Sequence, residues 1–496
     1  MHDALGLAGQ AAHSRGDLAG VARALRRGDT DRRLRTFVEL FLLGREVTEA
    51  AAREAFDPLP LDVAVQAGVV ETSAGSVRAA LEIRPYAEAG TSPWETPVPD
   101  APWWVVSDLG SDVRPGPLAG DHVLGIGAAS TTLAQSTPRV GVGRALDVGT
   151  GCGVQALHLG GHSSSVTATD ISRRALSLAA TTAALSGQTW DLRHGSLLDP
   201  VEEERYDLVV ANPPFVVSAG GPGYDYRDSG LAGDGVSEAL VRGLPAVLNP
   251  GGTAVLLANW IIPREGDWQD RVTGWVAGRG CDAWIWQREM ADPGEYVALW
   301  LRDAGETPGS PAWDTRYDAW LDWFDEAGVA AVGMGLVAMR RHEAPAGSDT
   351  PEVLVAEDVP QPVQQPVGAE IGAWFDRQRL LHDTADERLL GTRFRPAPDL
   401  VRTRDAVTDP DGWRVARDVL RQSHGLRWEL DVDDAVAALV AGSDATAPLA
   451  LDLAVLAASL GEAVEDVTAA ALPVVRDLVG RGFLLPVDLP EQDGER

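Results

Sequence analysis

Residues 207–215 read Asp207-Leu-Val-Val-Ala-Asn-Pro-Pro-Phe215, an apolar run that stops at an asparagine, two prolines and an aromatic ring. A short apolar run bounded by such turn residues is typical of a buried strand. Asp147, 65 residues before Asn212, opens a second motif, Asp147-Val-Gly-Thr-Gly-Cys-Gly153. Because glycines allow a tight turn from a strand into a helix, this motif also predicts the end of a strand.

The sequence around these motifs alternates between strand and helix patterns from residue 119 to residue 345. Such alternation predicts an α/β domain with a parallel, doubly wound sheet. Seven strands are expected, at residues 144–148, 165–169, 190–194, 206–211, 253–260, 282–287 and 331–340. Residues 288–328, between the last two strands, are expected to form a helical insertion whose aromatic side chains are mostly buried.

The two motifs together resemble the class I S-adenosylmethionine-dependent methyltransferases of the Asn-Pro-Pro-Phe type. That branch methylates a planar nitrogen, either the glutamine side chain of release factors or the exocyclic amine of adenine. The resemblance covers residues 119–345 and implies the seven-stranded methyltransferase sheet with S-adenosylmethionine as cofactor. The expected cofactor-binding residues are Asp147, Gly149, Thr150, Gly151, Gly153, Asp170, Ile171, Ser196, Leu197 and Asn212.

The three glycines and Asp170 have a direct physical reason to be in this set. The glycines let the backbone approach a charged ligand, and the helix that follows offers free N–H groups to its carboxylate. Asp170 ends the second predicted strand, 23 residues after Asp147, where a carboxylate can accept hydrogen bonds from two ribose hydroxyls. Because Ser172 follows closely, capping of the next helix is the alternative role for Asp170.

The expected catalytic residues are Asn212, Pro213, Pro214 and Phe215. An amide or aniline-like nitrogen is a poor nucleophile because its lone pair is delocalised. The side-chain oxygen of Asn212 and the carbonyl of Pro213 can accept the two N–H groups and so localise that pair. The prolines fix the backbone, and Phe215 offers a flat face to the planar group. In the glycine-rich segment that follows, Tyr224, Tyr226 and Arg227 are candidates for contacts with the substrate.

At 496 residues the chain exceeds the size of one hydrophobic core, and flanking domains are expected. Residues 1–115 and 369–496 each show helices followed by short strands, which predicts winged-helix-like modules. Residues 346–368 read as a proline-rich linker. No segment has the ~20 apolar residues of a membrane helix, and two cysteines form neither a disulfide framework nor a metal set. A cytoplasmic enzyme without a metal is expected.

The net charge is −31, and all 42 basic residues are arginine. This acidity favours a protein acceptor of the release-factor type. Two arginine clusters keep adenine in RNA or DNA as an alternative acceptor. They comprise Arg23, Arg26, Arg27, Arg32, Arg33 and Arg35, and Arg393, Arg395, Arg402, Arg404, Arg414, Arg417, Arg421 and Arg427. The sequence is also compatible with a non-catalytic, cofactor-binding regulatory scaffold and, more weakly, with a dinucleotide-dependent oxidoreductase.

Overall fold

A computed structural model of the chain describes residues 2–14, 17–28, 30–86, 103–110, 119–220, 231–343, 350–398 and 400–487. Within these ranges, no helix combines the length and hydrophobicity that crossing a bilayer requires. The described residues also contain no group of three or more His, Cys, Asp or Glu side chains that could hold a metal ion.

The N-terminal region consists of short helices and a small antiparallel sheet of order β1-β3-β2. Its elements are α1 (His2–Ser14), α2 (Leu18–Arg27), α3 (Arg32–Phe37), a π-helical turn (Val38–Leu42), β1 (Val47–Thr48), α4 (Glu49–Phe56), α5 (Leu61–Gln66), β2 (Val70–Ser73) and β3 (Ser76–Ala79). The winged-helix-like description of this region stays a prediction.

A two-stranded ribbon, β4 (Leu81–Tyr86) with β5 (Trp103–Asp108), joins this region to the central domain. The main-chain N–H of Val106 donates to Oγ1 of Thr182 at 3.0 Å, and that of Trp104 donates to Oγ of Ser186 at 2.9 Å. Both acceptors belong to the end of a helix of the central domain. The ribbon is therefore fixed to that domain by hydrogen bonds from its main chain to two side-chain hydroxyls.

The central domain is an eight-stranded sheet with helices on both faces. Its elements are α6 (Ala128–Ser136), β6 (Val142–Val148), α7 (Val154–Leu159), β7 (Ser163–Asp170), α8 (Arg173–Leu185), β8 (Asp191–His194), a 3₁₀ turn (Asp199–Val201), β9 (Tyr206–Ala211), α9 (Gly235–Val247), β10 (Leu248–Pro263), α10 (Trp268–Val276), β11 (Cys281–Ala291), α11 (Pro293–Asp303), α12 (Pro311–Glu326), β12 (Val329–Arg341) and β13 (Leu354–Asp358).

The strand order is β13-β11-β12-β10-β9-β6-β7-β8, and β12 runs antiparallel to both of its neighbours. All seven predicted strands are present, so the doubly wound α/β fold is confirmed. The predicted count of seven strands was wrong, because β13 pairs in parallel with β11 and adds an eighth strand at the edge of the sheet. This strand lies within residues 346–368, the segment predicted to be a linker.

The C-terminal region packs on the central sheet through a shared hydrophobic core. Its elements are α13 (Gly368–Asp383), α14 (Asp386–Gly391), β14 (Phe394–Pro396), β15 (Leu400–Asp409), β16 (Gly412–Gln422), β17 (Glu429–Asp431), α15 (Asp434–Gly442), α16 (Leu449–Leu460), α17 (Val464–Gly480) and β18 (Leu484–Pro486). The winged-helix-like description stays a prediction here also. At the junction, the rings of Trp284 on β11 and Trp374 on α13 stack with centroids 4.5 Å apart.

Replacement of Trp374 by alanine should lower the free energy of unfolding by about 3–5 kcal/mol, because it removes a buried ring and leaves a cavity between α13 and the sheet. Chemical denaturation followed by circular dichroism measures this change. Trp413→Ala is the control, since the Trp413 side chain is 77% exposed on the β15–β16 hairpin. Equal losses in the two variants would contradict a shared core at this junction.

Candidate active site

Three neighbouring parallel strands end at the same edge of the sheet. Val148, the last residue of β6, is paired with Thr169 of β7 on one side and with Ala211 of β9 on the other. The residues that follow are Gly149, Asp170 and Asn212, so strand register alone brings the two sequence motifs together. A Cβ atom at Gly149 would lie 3.9 Å from the main-chain oxygen of Asn212.

The turn after β6 uses left-handed glycines. Gly149, Gly151 and Gly153 have φ values of 72°, 55° and 88°, which side chains of other residues rarely allow. The N–H groups of Gly149 and Thr150 both donate to the carbonyl of Thr169 at 2.9 Å. The turn is therefore tied to the end of β7 while it reverses direction into α7.

Asp147 is fully buried beneath this turn. Its Oδ2 accepts hydrogen bonds from Oγ1 of Thr150 at 2.6 Å and from the N–H of Ala156 at 3.1 Å. Burial raises the pKa of the Asp147 carboxyl to about 7, and the nearby Asp170 charge contributes to this increase. Oδ1 of Asp147 is buried and has no hydrogen-bond partner among the described residues. An unsatisfied carboxylate oxygen next to a glycine turn fits a ligand that brings a cationic donor.

Asp170 connects the second strand end to the same turn. Its Oδ2 accepts a hydrogen bond from the N–H of Gly151 at 2.9 Å, and its Oδ1 accepts one from the N–H of Ser172 at 2.8 Å. The cap of α8 is Ser172, whose hydroxyl accepts from the N–H of Ala175. Ile171, beside Asp170, is an apolar side chain that is 57% exposed. The ribose-binding role of Asp170 stays a prediction.

The loop after β8 contacts the end of β7 at the same edge of the sheet. Leu197 has a left-handed φ of 45°, and its carbonyl accepts a hydrogen bond from Oγ1 of Thr169 at 3.4 Å. Leu197 is half-buried and Ser196 is exposed. Both residues thus lie near the end of β7, and their contact with a cofactor stays a prediction.

The Asn-Pro-Pro-Phe motif begins directly after β9. Asn212, Pro214 and Phe215 are half-buried, while Pro213 is buried. The ring of Phe215 meets Trp300 of α11 edge to face, with centroids 6.3 Å apart. One wall of the motif is therefore built by the insertion between β11 and β12.

The insertion also holds the main chain after Phe215, which sequence reasoning missed. The hydroxyl of Tyr296 on α11 accepts a hydrogen bond from the N–H of Val217 at 2.9 Å, and Nε1 of Trp320 on α12 donates to the Val217 carbonyl at 3.1 Å. Nδ2 of Asn259 on β10 also donates to the Tyr296 hydroxyl at 2.9 Å. One feature of the sequence could have indicated these contacts, because buried Tyr and Trp side chains usually hydrogen-bond through their O–H and N–H groups.

The candidate substrate residues Tyr224, Tyr226 and Arg227 lie outside the described residues. The ends of the segment that contains them are well anchored. Ser218 and Gly233 form an antiparallel bridge. The buried Asp234 accepts hydrogen bonds from the N–H of Ile261 at 2.9 Å and from Arg271 at 2.6 and 2.8 Å.

Three parts of the chain match known family models. Residues 124–265 match the methyltransferase small domain. Residues 1–80 and 372–486 match two families described as domains of unknown function, DUF7059 and DUF7782. The glycine turn, Asp170 and the Asn-Pro-Pro-Phe motif all lie within the methyltransferase match.

Two curated relatives illustrate the range of similarity. The ribosomal RNA small subunit methyltransferase C of Klebsiella pneumoniae is 30% identical over 168 residues, which cover 33% of this chain and 45% of that protein. The release factor glutamine methyltransferase of Deinococcus radiodurans is 41% identical over 129 residues, which cover 24% of this chain and 46% of that protein. The chain thus spans less than half the length of these relatives.

The matches among solved structures include two methyltransferases. The T. thermophilus 16S rRNA N2 G1207 methyltransferase in complex with AdoMet and guanosine has 19% identity and a TM-score of 0.25, covering 51% of this chain and 62% of that chain. A methyltransferase from Pyrococcus furiosus has 16% identity and a TM-score of 0.26, covering 42% of this chain and 80% of that chain.

Gly153→Ala should destabilise the protein more than Gly151→Ala. Both residues have left-handed backbones, but a Cβ at Gly153 would lie 2.6 Å from the Trp190 ring, whereas a Cβ at Gly151 meets nothing within 4 Å. The added overpacking costs roughly 1–3 kcal/mol. Chemical denaturation of both variants measures the difference. Equal effects would show that the turn does not pack on Trp190 as described.

Asp147→Asn should gain stability relative to the wild type as pH rises. Because burial raises the pKa of Asp147 to about 7, the ionised carboxylate is disfavoured in the folded state. Its contribution to folding is fullest below the unfolded pKa near 4 and declines as pH rises to about 7. Asparagine keeps an acceptor for Thr150 and Ala156 but does not titrate.

Denaturation of both proteins without cofactor at about pH 5 and about pH 8 measures this linkage. The stability difference between variant and wild type should shift by roughly 2–3 kcal/mol in favour of the variant at the higher pH. A difference that does not change with pH would mean that Asp147 has an ordinary pKa in the folded protein.

Proposed function

We propose that this chain is an S-adenosylmethionine-dependent methyltransferase that acts on a planar nitrogen, because residues 124–265 match the methyltransferase small domain. The observation that supports this proposal most is the proximity of the glycine turn to the Asn-Pro-Pro-Phe motif. The position of a Cβ on Gly149 is only 3.9 Å from the Asn212 carbonyl oxygen. A cofactor seated on the turn would have its reactive end beside the acceptor motif.

The residues present fit S-adenosylmethionine at three points. The unsatisfied Oδ1 of Asp147 and the free space at the glycine turn suit the amino-acid end of the cofactor. The carboxylate of Asp170 lies at the end of β7, where it can accept hydrogen bonds from ribose hydroxyls. The exposed side chain of Ile171 offers an apolar surface to the adenine ring.

When bound, S-adenosylmethionine supplies a methyl group activated by a sulfonium sulfur. The acceptor nitrogen would provide the lone pair for methylation and would release its proton to solvent. Asn212 and the Pro213 carbonyl accept the N–H groups of the acceptor and localise its lone pair. Phe215 stacks on the planar group, supported from its edge by Trp300.

Two classes of acceptor suit this chemistry. A glutamine side chain is supported by the 41% identical segment of a release factor glutamine methyltransferase. A base amine in ribosomal RNA is supported by the similarity to ribosomal RNA small subunit methyltransferase C over 168 residues. The sequence-based preference for a protein acceptor rested on net charge and on the glycine-rich segment.

Asn212→Ala should lower the rate of methyl transfer at least 100-fold, in the range found when one positioned hydrogen-bonding group is removed from an active site. The assay follows tritiated methyl groups from the cofactor into separated RNA and protein fractions of a matching cell extract. Asn249→Ala is the matched control. Asn249 lies at the start of β10, away from the strand ends that form the site, and its Nδ2 donates to Oδ1 of Asp207 at 2.7 Å.

The destination of the label separates the two acceptor classes, because glutamine places it in protein and a base amine places it in RNA. Cofactor binding, measured by calorimetry, should weaken far less than methyl transfer slows in Asn212→Ala, because the glycine turn and Asp170 are unchanged. Undiminished transfer in this variant would contradict the role of Asn212. A wild-type protein that binds the cofactor and labels neither fraction would instead be a regulatory scaffold.

A further inference from the structure

The two arginine clusters of the sequence differ sharply in the structure. In the C-terminal cluster four of the eight arginines, Arg402, Arg404, Arg414 and Arg417, are paired with nearby acids. Arg402 and Arg404 each contact Asp418 at 2.6 Å, and both also pair with Asp434. Arg417 pairs with Asp431 at 2.9 Å. Arginines that are neutralised within the chain contribute little to binding an external anion, because each would first lose its own partner.

The N-terminal cluster is almost free of such pairs. Arg23, Arg26, Arg27 and Arg33 are exposed and make no ion pair or side-chain hydrogen bond within the described residues. Arg32 is exposed, and its one ion pair within the part of the chain that the structure describes is with Glu54 at 3.8 Å. We name these five side chains the α2–α3 arginine surface.

The two helices of this surface lie next to each other. Arg35 Nη2 on α3 donates to the carbonyl of Gly28, which caps the end of α2, at 3.3 Å. Arg23 and Arg27 are one helical turn apart, about 6 Å along the axis. The five charges thus extend over two helices, a spread that suits a series of phosphates better than a single small anion.

The local charge is opposite to that of the whole protein. Residues 15–45 contain eight arginines and four acids, a net charge of +4, in a chain whose total is −31. An acidic protein repels nucleic acid over most of its surface, so a positive region of this kind determines where a polyanion approaches.

A membrane is a less suitable partner for this surface. Peripheral helices bind bilayers by inserting an apolar face below a basic one. The apolar face of α2, formed by Val21, Ala22 and Leu25, is buried inside the N-terminal region. The arginines of α2 are exposed, which is the arrangement expected for contact with a phosphate backbone.

We propose that the α2–α3 arginine surface binds the phosphate backbone of RNA and holds the RNA whose base is methylated at the Asn212 site. The choice of RNA over DNA and the delivery to the active site both rest on the proposed function. Binding of a polyanion by these arginines does not depend on the proposed function. The N-terminal domain thus provides affinity, whereas the central domain provides chemistry.

The test measures binding of fluorescein-labelled poly(U) to the full-length protein by anisotropy, between about 50 and about 200 mM salt. Each arginine that neutralises a phosphate adds roughly 0.7 to the slope of log affinity against log salt for single strands. The variant R23Q/R26Q/R27Q/R33Q should lose roughly 3 from this slope and bind at least tenfold more weakly at the lower salt concentration. Its fold is checked by thermal denaturation, since exposed substitutions change stability little.

The control is R53Q/R78Q, which changes two exposed arginines of the same region that are already paired, Arg53 with Glu49 and Arg78 with Glu71, at 2.6 Å each. This variant should bind poly(U) as the wild type does. No binding of poly(U), or equal slopes for wild type and the four-arginine variant, would overturn the proposal. Tighter binding to duplex DNA or to vesicles of anionic lipid would overturn the choice of RNA.

Cofactor affinity separates this proposal from the proposed function. Both arginine variants should bind S-adenosylmethionine as tightly as the wild type, and only R23Q/R26Q/R27Q/R33Q should label RNA more slowly. If the wild-type protein failed to bind the cofactor, the proposed function would be wrong. The poly(U) measurement would still show whether the α2–α3 arginine surface binds RNA. If RNA labelling were unaffected by the four substitutions, delivery of the acceptor by this surface would be wrong.

Discussion

The structure depends on the parallel register of three adjacent strands. β7, β6 and β9 end level with one another, and the chain leaves each strand with a different chemical group: a carboxylate at Asp170, a bare backbone at Gly149 and an amide at Asn212. The turn at Gly149 has to stay close to two neighbouring strands, and left-handed glycines make this possible. Asp170 then accepts the N–H of Gly151, so that two of the three strand ends are linked directly.

Much of this edge could be predicted from the sequence, because it is determined by local patterns. Apolar runs followed by glycine, aspartate or Asn-Pro-Pro located the ends of β6, β7 and β9, and carboxyl ends of parallel strands meet at one edge of a sheet. The capping alternative for Asp170 was resolved only by the structure, where Ser172 caps α8. Nothing in the sequence indicated that the carboxylate would be hydrogen-bonded to the glycine turn.

The features that sequence reasoning missed depend on contacts between distant residues. β13 is a five-residue edge strand in a proline- and acid-rich segment, and it exists because β11 offers an edge for pairing. The stacking of Trp284 on Trp374 joins residues ninety positions apart and ties the C-terminal region into the central core. Likewise, Tyr296 and Trp320 hold Val217 across 79 and 103 residues of sequence. The insertion therefore stabilises the loop after Phe215. The sequence predicted a helical insertion with buried aromatic side chains, but it did not predict these contacts with the loop.

The different roles proposed for the two domains follow from the positions of their charged groups and of the open glycine turn. The central domain has an unsatisfied carboxylate oxygen and a glycine turn beside an acceptor motif, and the N-terminal region has the α2–α3 arginine surface. The most direct test is a crystal structure of the protein with S-adenosylhomocysteine. We expect the ligand between Gly149 and Asn212, with its amino acid end at Asp147 and its ribose at Asp170. A ligand bound elsewhere, or a sulfur directed away from Asn212, would contradict this account.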